Sequence, residues 1–559
     1  MTESLRPKVY KSRKLRVIPL GGLHEIGKNM TALEYGSDIM IIDCGMAFPD
    51  DEMLGIDVVI PDFTYLIENS EKIRGLVVTH AHEDHIGAIP YLLQKLNVPV
   101  YSTRLTLGFI RNKLREYDVD ADLHEIAPGD GFRLGVFSVE AIHTTHSVAD
   151  SLALCIDTPV GKIFHTGDFK IDYTPVDGDP IDLNRLAALG DEGILLLMAD
   201  STNAGRKGYT PSEQQVGIAL NNIFASTKKR IIIAIFASNV HRAQRIIDMA
   251  AANGRKVAIS GRSMENMVRI AEDLGYLEIP DGVLVEMNQI KNIPDDKLVI
   301  MTTGSQGEPM SALARMAHNM HRQVQIRPGD MVILSSTAVP GNEKMVSNVV
   351  NSLMEKGAEV IYSDIAETHV SGHASGEELK LIHTLLRPEY FMPVHGEMKH
   401  LIAHAEIAES LGMDKSRILF GANGDVFELV RGKAKKSKET VPAGAVMVDG
   451  LGIGDVGSSV LNERRYLSEA GLIVMAACFE NGVLVSGPQL ISKGFVFVKE
   501  HKNLMEEART VVEEELMFCM DSGRHDVSSM ADICKGRLRN FIYEKTERSP
   551  VIIPVFMEV

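Results

Sequence analysis

The stretch Thr79–His85, THAHEDH, follows the apolar run Gly75-Leu76-Val77-Val78 and constrains the fold more than any other. It reads as a buried strand running directly into three histidines and two acids. Burying such groups is costly unless they are paired or bound to metal. His80, His82, Asp84 and His85 make an HxHxDH pattern. On a loop leaving a strand, alternate residues converge on one point, while the adjacent Asp84 and His85 turn toward a second. Imidazole nitrogen and carboxylate oxygen suit Zn²⁺ or Mn²⁺ without a thiolate. Three readings stand at this point: a solvated polar turn, a single metal site, or half of a two-metal site.

The remainder of the chain narrows these. At 559 residues it is too long for one core, and two or three domains are expected. Hydrophobic content of 45% and charged content of 24% are those of a soluble globular protein. No apolar run reaches the roughly 18 residues that span a bilayer, so no membrane association is expected. MTESLRPKVYKSRKLRV carries basic residues without an apolar signal core, which predicts a cytoplasmic protein. Cys44, Cys155, Cys478, Cys519 and Cys534 form no CxxC pair and read as reduced thiols rather than a disulfide framework or a thiolate site. The net charge of −17 opposes a nucleic-acid partner, because neutralising phosphates supplies most of such affinity. Net charge, however, governs solubility and steering rather than the lining of one cleft.

Along the chain, residues 1–210 read as strands in pairs giving way to strand–helix units, with polar residues at strand ends. This predicts the first part of an αββα sandwich. Residues 211–365 alternate strand and helix (RIIIAIFAS, KVAIS, KLVIMTTGSQGEP, MVILSS, EVIYSD), the pattern of a doubly wound parallel sheet. Residues 366–430 return to the sandwich with EYFMPVHGE. Residues 431–450 read as a linker with a short basic run (Arg431, Lys433, Lys435, Lys436, Lys438), and residues 451–559 as a small α/β domain.

Two further strand ends supply ligands that HAHEDH lacks. His146 in TTHSVADS follows VFSVEAI, and Asp168 in FHTGDFK follows KIF. A carboxylate after a strand can bridge two cations about 3.5–4 Å apart. Alone, each reads as readily as a cap or turn residue. In this order (IIDCG, HAHEDH, THS, HTGDFK) the chain resembles the metallo-β-lactamase hydrolases, in which Asp43 would orient a ligand. His143 and His165 lie nearby and are not expected to be ligands. Asp200 in ADSTNA, His373 in SGHAS and His395 in MPVHGE resemble the extra motifs of the β-CASP nucleases, with 211–365 as the inserted domain. GGLHEIGKNM, FPDDEMLGIDVVIPD, TGSQGEPMSAL and ETHVSGHAS extend the resemblance to the bacterial ribonuclease J family over essentially the whole chain.

That resemblance implies a fold of a metallo-β-lactamase sandwich, an inserted doubly wound β-CASP domain and a small α/β C-terminal domain. It implies two zinc ions, with Mn²⁺ or Mg²⁺ able to support activity: His80, His82 and His146 at one, Asp84, His85 and His395 at the other, Asp168 between them. It makes His373 an acid or charge stabiliser, with Asp200 orienting a histidine and Asp84 among the residues essential to catalysis. Ser238, His369, Val370, Ser371, Gly372 and His373 would form a pocket for the 5′-monophosphate of RNA. Such a loop of small residues cradles phosphate well, although SGHASGEELK also reads simply as a helix start capped by Ser375. The implied activity is a hydrolytic ribonuclease, 5′→3′ exonuclease and endonuclease, leaving 5′-phosphate products. Its implied setting is mRNA decay and rRNA maturation, as a homodimer or homotetramer, with single-stranded RNA, an RNA-degradation complex or the ribosome as partners.

Two positions depart from the family pattern, His24 in GGLHEIGKN and Ala149 in HSVADS; His24 reads as a loop residue. The linker lysines read first as a solvated surface and second as RNA contacts, and Asp50, Asp51 and Glu52 as a charged loop. The competing functions are a DNA-directed β-CASP nuclease, a small-ester hydrolase and a non-catalytic RNA scaffold. An ester hydrolase needs no insertion over its cleft, and a scaffold would have lost ligands that this chain keeps.

Overall fold

The site lies where several strands end together, and the order of those strands explains why. A computed structural model describes residues 14–50, 52–176, 178–308, 310–338, 342–362, 365, 368–495, 502–523 and 526–559. The chain divides into two units, one of residues up to Phe48 with Val59–Val446, the other of Pro49–Val58 with Met447–Val559.

In the first unit two sheets face each other. One has eight strands, in the order Lys433–Thr440, Asp425–Val430, Leu15–Gly21, Met30–Tyr35, Asp38–Ile42, Ile73–Val77, Val100–Ser102, Leu123–Glu125. The other has six, in the order Tyr390–Val394, Leu196–Asp200, Gly161–His165, Leu152–Thr158, Phe137–His143, Gly131–Leu134. Alternate residues of each strand point inward. Val17, Leu33, Met40, Ile42 and Val77 of the first sheet therefore pack against Val139, Leu154, Ile156, Leu196 and Met198 of the second. Phe164, Leu197 and Phe391, on the outer face of the second sheet, are covered by helices through Leu186, Leu189, Leu379 and Ile382. This is the expected αββα sandwich.

Between Leu196–Asp200 and Tyr390–Val394 the chain builds a third sheet, all parallel. Its order is Leu284–Val285, Lys256–Ser260, Leu298–Thr302, Ile231–Ala234, Met331–Leu334, Glu359–Ile361. Its central strand residues are apolar because helices cover both faces, each with its own buried cluster. The chain then returns, and Tyr390–Val394 pairs in parallel with Leu196–Asp200, Val394 opposite Asp200.

The stretch read as a linker is mostly strand. Lys433–Thr440 pairs antiparallel with Asp425–Val430 at the sandwich edge. Its lysines belong there because Lys435 and Lys436 meet Glu428 and Asp425 of the neighbouring strand at 3.4 and 2.5 Å. The second unit holds a three-stranded sheet, Val483–Lys493, Leu472–Glu480, Val551–Glu558, with the helices Lys502–Asp521 and Val527–Thr546 on one face. In this unit Glu52 pairs with Arg465 at 3.6 Å, while Asp51 lies outside the described residues. Among the described residues no helix is long and apolar enough to cross a membrane.

Candidate active site

Six strands deliver the site residues from their C-terminal ends. Asp43 follows Asp38–Ile42, the HAHEDH loop follows Ile73–Val77, and His146 lies beyond Phe137–His143. Asp168 lies beyond Gly161–His165, Asp200 ends Leu196–Asp200, and His395 follows Tyr390–Val394. Asp43 and His395 both have positive φ, 58° and 55°, a conformation that side chains other than glycine rarely adopt and that concentrates at functional sites. Gly45 of IIDCG is needed for contact: a Cβ there would lie 1.6 Å from the Asp84 carbonyl oxygen.

The seven sequence-predicted ligands fill two clusters, one of His80, His82, His146 and Asp168, the other of Asp84, His85, His395 and Asp168, and a third set of Asp168, Asp200, His373 and His395 overlaps them. His82 Nδ1 is 3.0 Å from His80 Nε2 and 3.1 Å from His146 Nε2. Asp84 Oδ2 is 3.1 Å from His395 Nε2, across 311 residues of chain, and 3.7 Å from His85 Nε2. One atom belongs to both clusters. Asp168 Oδ2 is buried and accepts no well-formed hydrogen bond. It lies 3.2 Å from His85 Nε2, 3.6 Å from His80 Nε2 and His395 Nε2, and 3.9 Å from His146 Nε2. An ionised oxygen left so among imidazoles fits a pair of divalent cations sharing it, and the nitrogen–oxygen donor set suits such ions.

Each histidine of the set has a partner on its outer nitrogen, which fixes how the ring faces inward. His80 Nδ1 meets Thr79 Oγ1 at 3.0 Å, and His85 Nδ1 meets Asp43 Oδ2 at 2.8 Å. His395 Nδ1 meets Thr202 Oγ1 at 2.6 Å, and His146 Nδ1 donates to the Gly372 carbonyl at 2.7 Å. Around His82 the contact is looser, Ser147 Oγ at 3.4 Å. Asp43 is itself held by the Thr79 amide at 2.7 Å.

Burial divides the titration of these rings. It pushes His80, His82 and His146 down, His82 to about 4, so their lone pairs are free for a cation. Burial also opposes charging of His85 and His395, but the nearby carboxylates outweigh it, Asp168 foremost, and both rise well above the usual imidazole value. Burial works against ionisation of Asp168 too; His395 and His85 overcome it and hold the carboxyl well below its usual range.

His373 stands beside both clusters, its Nδ1 2.8 Å from Asp200 Oδ2 and 3.8 Å from Asp168 Oδ2. Burial disfavours its charged form, yet Asp200 prevails and raises it. The loop before it is held from several sides. Ser371 Oγ accepts from Asn203 Nδ2 at 2.8 Å and from the His373 amide at 3.2 Å. His369 Nδ1 accepts from the Arg242 guanidinium at 3.0 Å. A Cβ on Gly372 would lie 2.5 Å from His146 Cε1, so only glycine lets this loop approach the ligand.

Two pocket residues sit differently from the sequence expectation. The Val370 side chain is buried in the core of the third sheet's domain, because an apolar residue next to that cluster gains more from burial than from a polar pocket. Ser238 follows Ile231–Ala234, near Phe236, whose ring is 6.3 Å from His369. Among the described residues no hydrogen bond joins the Ser238 hydroxyl to the 369–373 loop. Ser375 caps Gly376–Leu386 in a capping box with Glu378, so the helix-start reading of this segment holds.

The two decoys are occupied elsewhere. His143 Nε2 meets the Asp179 carbonyl at 2.7 Å, and His165 Nδ1 accepts from the Gly167 amide at 3.0 Å. His24 is an exposed loop residue with φ of 64°. Thr79, Thr202, Asn203, Arg242 and Glu378 were not singled out as site residues in the sequence. Glu378 is fully buried and accepts from the amides of Ile171, Thr210 and Ser375, each at 2.7 Å, which ties three site segments together. Thr79, Thr202 and Asn203 had a signal, since they lie inside the quoted motifs; Arg242 had none.

Comparison with known proteins gives these features a family. Residues 25–212 match the description "Metallo-beta-lactamase superfamily", 228–353 "Ribonuclease J, beta-CASP domain", 358–417 "Zn-dependent metallo-hydrolase RNA specificity domain" and 459–559 "Ribonuclease J C-terminal domain". The chain is 43% identical to Ribonuclease J 1 of Streptococcus pyogenes over 551 residues, 98% of each chain. The chain belongs to the ribonuclease J family. It is also similar to Ribonuclease J2 of Bacillus subtilis, 42% identical over 99% of this chain and 100% of the other. Ribonuclease J of Thermus thermophilus is 42% identical over 97% of this chain and 95% of that one. A crystal structure of a protein of unknown function from Enterococcus faecalis shares the fold, with a TM-score of 0.53 and 16% identity over 74% of this chain and all of the other. As a member of the ribonuclease J family the protein is a hydrolytic, metal-dependent ribonuclease of the β-CASP type.

Proposed function

We propose that this protein holds two zinc ions per chain and degrades single-stranded RNA from its 5′-monophosphate end, with endonuclease cuts where an internal segment enters the cleft. The observation that carries this reading is the Asp168 oxygen shared by two ligand clusters. His80, His82 and His146 would hold one cation, Asp84, His85 and His395 the other, with Asp168 between them. Two cations bound there supply an activated water and neutralise charge in an in-line phosphodiester displacement.

The chain's own residues do the rest. Asp43 and Thr202 keep the rings of His85 and His395 aimed inward. Asp200 accepts from His373 Nδ1–H and stabilises the doubly protonated ring, whose Nε2–H can donate to the leaving 3′-oxygen, so the product carries a 5′-phosphate. Both lone pairs of Ser371 Oγ are occupied by Asn203 and the His373 amide, which leaves its O–H as a donor. Arginine can only donate, so its bond to His369 Nδ1 puts the proton of that ring on Nε2. A loop that offers hydroxyl and imidazole donors suits a terminal phosphate, which favours the exonuclease reading over a purely internal cutter. With the family, we assign the protein to the cytoplasm, to mRNA decay and rRNA maturation, and to a homodimer or homotetramer able to join an RNA-degradation complex or the ribosome.

The test offers 5′-monophosphorylated, 5′-triphosphorylated and 5′-hydroxyl RNA and matched DNA to the purified protein, with and without chelator. Cleavage that is chelator-sensitive, RNA-selective and fastest on the monophosphate is expected. Equal rates on DNA and RNA, or chelator-resistant cleavage, would overturn the assignment.

A further inference from the structure

In the basic run predicted as a linker, Lys435 and Lys436 are paired to acids of the neighbouring strand. Free cations also occur beside the site. The segment Asp200–Thr210 starts in the site: Asp200 holds His373, Thr202 touches His395, and Asn203 Nδ2 bonds Ser371 Oγ and the His373 carbonyl at 2.8 and 3.0 Å. Its far end is held equally firmly. Thr210 Oγ1 donates to the His373 carbonyl at 2.8 Å, and the Arg206 and Gly208 carbonyls accept from the Gly376 and Glu377 amides at 2.8 and 3.1 Å.

Between these anchors Arg206 and Lys207 are exposed, and neither has an ion-pair partner among the described residues. Tyr209 is 55% exposed, an aromatic ring left in water beside two free cations. Arg206 lies three residues beyond Asn203, at most about 11 Å along the backbone from a residue that touches the 371–373 loop. Its charge also bears on His369, adding to burial, Arg242 and Lys170 in holding that ring below its usual value. In a chain of net charge −17 such a pair on a loop bonded to the 371–377 segment is a specific feature. A loop tied at both ends that offers two cations and one exposed aromatic ring supplies the two kinds of contact a single strand takes, to charged backbone and to base faces.

We propose that the loop Asn203–Thr210 is a contact surface for the single-stranded RNA of the substrate, with Arg206 and Lys207 neutralising two backbone phosphates and Tyr209 stacking on a base. This rests on the RNA reading above. Single-strand binding weakens with salt with a slope of about −0.7 per neutralised phosphate. Removing two contacts makes that slope shallower by about 1.4, so raising salt from 50 to 200 mM weakens binding about sevenfold less than in the wild type.

The experiment measures KM and kcat on 5′-monophosphorylated RNA across that salt range, with metal content determined alongside. R206Q/K207Q is expected to raise KM and flatten the salt slope, with kcat at saturation and metal content unchanged. K433Q/K438Q removes two exposed lysine charges from the sandwich edge and serves as the control for general charge; it keeps the wild-type slope. Tyr209→Ala raises KM by about fivefold or more, and Tyr209→Phe restores it, because the ring alone stacks. A wild-type slope in R206Q/K207Q, an equal change in K433Q/K438Q, or a Tyr209→Ala KM equal to wild type would overturn the proposal while the RNA reading stands. Absence of RNA cleavage and binding by the wild type would overturn both.

Discussion

Replacing Arg242 with methionine tests whether a buried ion pair shapes the 369–373 loop. Arg242 is 1% exposed, and its guanidinium meets Glu213 Oε1 from Nε at 2.7 Å and from Nη2 at 2.5 Å. Nη1 reaches the Ser335 carbonyl at 2.6 Å and His369 Nδ1 at 3.0 Å. Methionine fills the stem's volume but leaves the Glu213 carboxylate, a carbonyl and an imidazole nitrogen without their donor. Breaking one side of a buried pair costs about 3–5 kcal/mol, much of it the stranded charge. We therefore expect Arg242→Met to lower unfolding free energy by about 4 kcal/mol. Arg242→Met combined with Glu213→Gln removes the charge as well and should recover about 2 kcal/mol, since contacting residues couple by that order. The assay is urea unfolding followed by far-UV circular dichroism, with the midpoint shifting and the slope kept. In parallel, the single variant should lose preference for 5′-monophosphate over 5′-hydroxyl RNA at unchanged metal content, because His369 is no longer held with its proton on Nε2. A loss below about 1 kcal/mol, or a double variant no more stable than the single, would refute the reasoning.

Other consequences are as direct. Asp168→Ala deletes the oxygen that both clusters share, and should lower metal content by mass spectrometry and abolish cleavage; wild-type metal stoichiometry would contradict the bridging role. Ser371→Ala should keep metal content and cleavage of 5′-hydroxyl RNA while weakening the monophosphate preference, and unchanged preference would remove Ser371 from the pocket. Gly372→Ala drives a methyl group into His146, and overpacking of about 1–3 kcal/mol should appear as reduced metal affinity in a chelator titration. Burial holds His383 down to about 4 in the folded protein. The unfolded chain binds that proton near 6.5, so stability is full above pH 6.5 and falls as pH drops toward 4, by up to about 3 kcal/mol. His383→Gln should flatten the dependence over that window in urea unfolding, and an unchanged slope would assign the effect to other groups.

The candidate ligands were legible because each sits at the end of a strand, and an apolar run broken by histidine or aspartate is a local signal. HAHEDH carried four of them in six residues, and the order of the remaining motifs made a family resemblance readable before any contact was known. The sandwich and the parallel sheet were legible for the same reason: alternation and apolar runs reflect how many faces of a strand are buried. The partners of the histidines were less so. Thr202 and Asn203 are ordinary polar residues until Leu196–Asp200 lies beside Tyr390–Val394, and Arg242 is one more arginine on a helix.

By itself the sequence pointed to which side chains can hold cations and which apolar segments are strands, because both depend on residue type and short spacing; the charged strand Lys433–Thr440 carried no such signal. Tertiary structure alone decided that one oxygen of Asp168 lies between two clusters and that His395 meets Asp84 across 311 residues. It also decided that Val370 belongs to a core and that Lys435 and Lys436 are paired at a sheet edge while Arg206 and Lys207 stay free. The physical reason is common to all of these. Charge, burial and hydrogen bonding depend on which elements meet in space, and strand pairing across hundreds of residues leaves no mark in the spacing of any one motif.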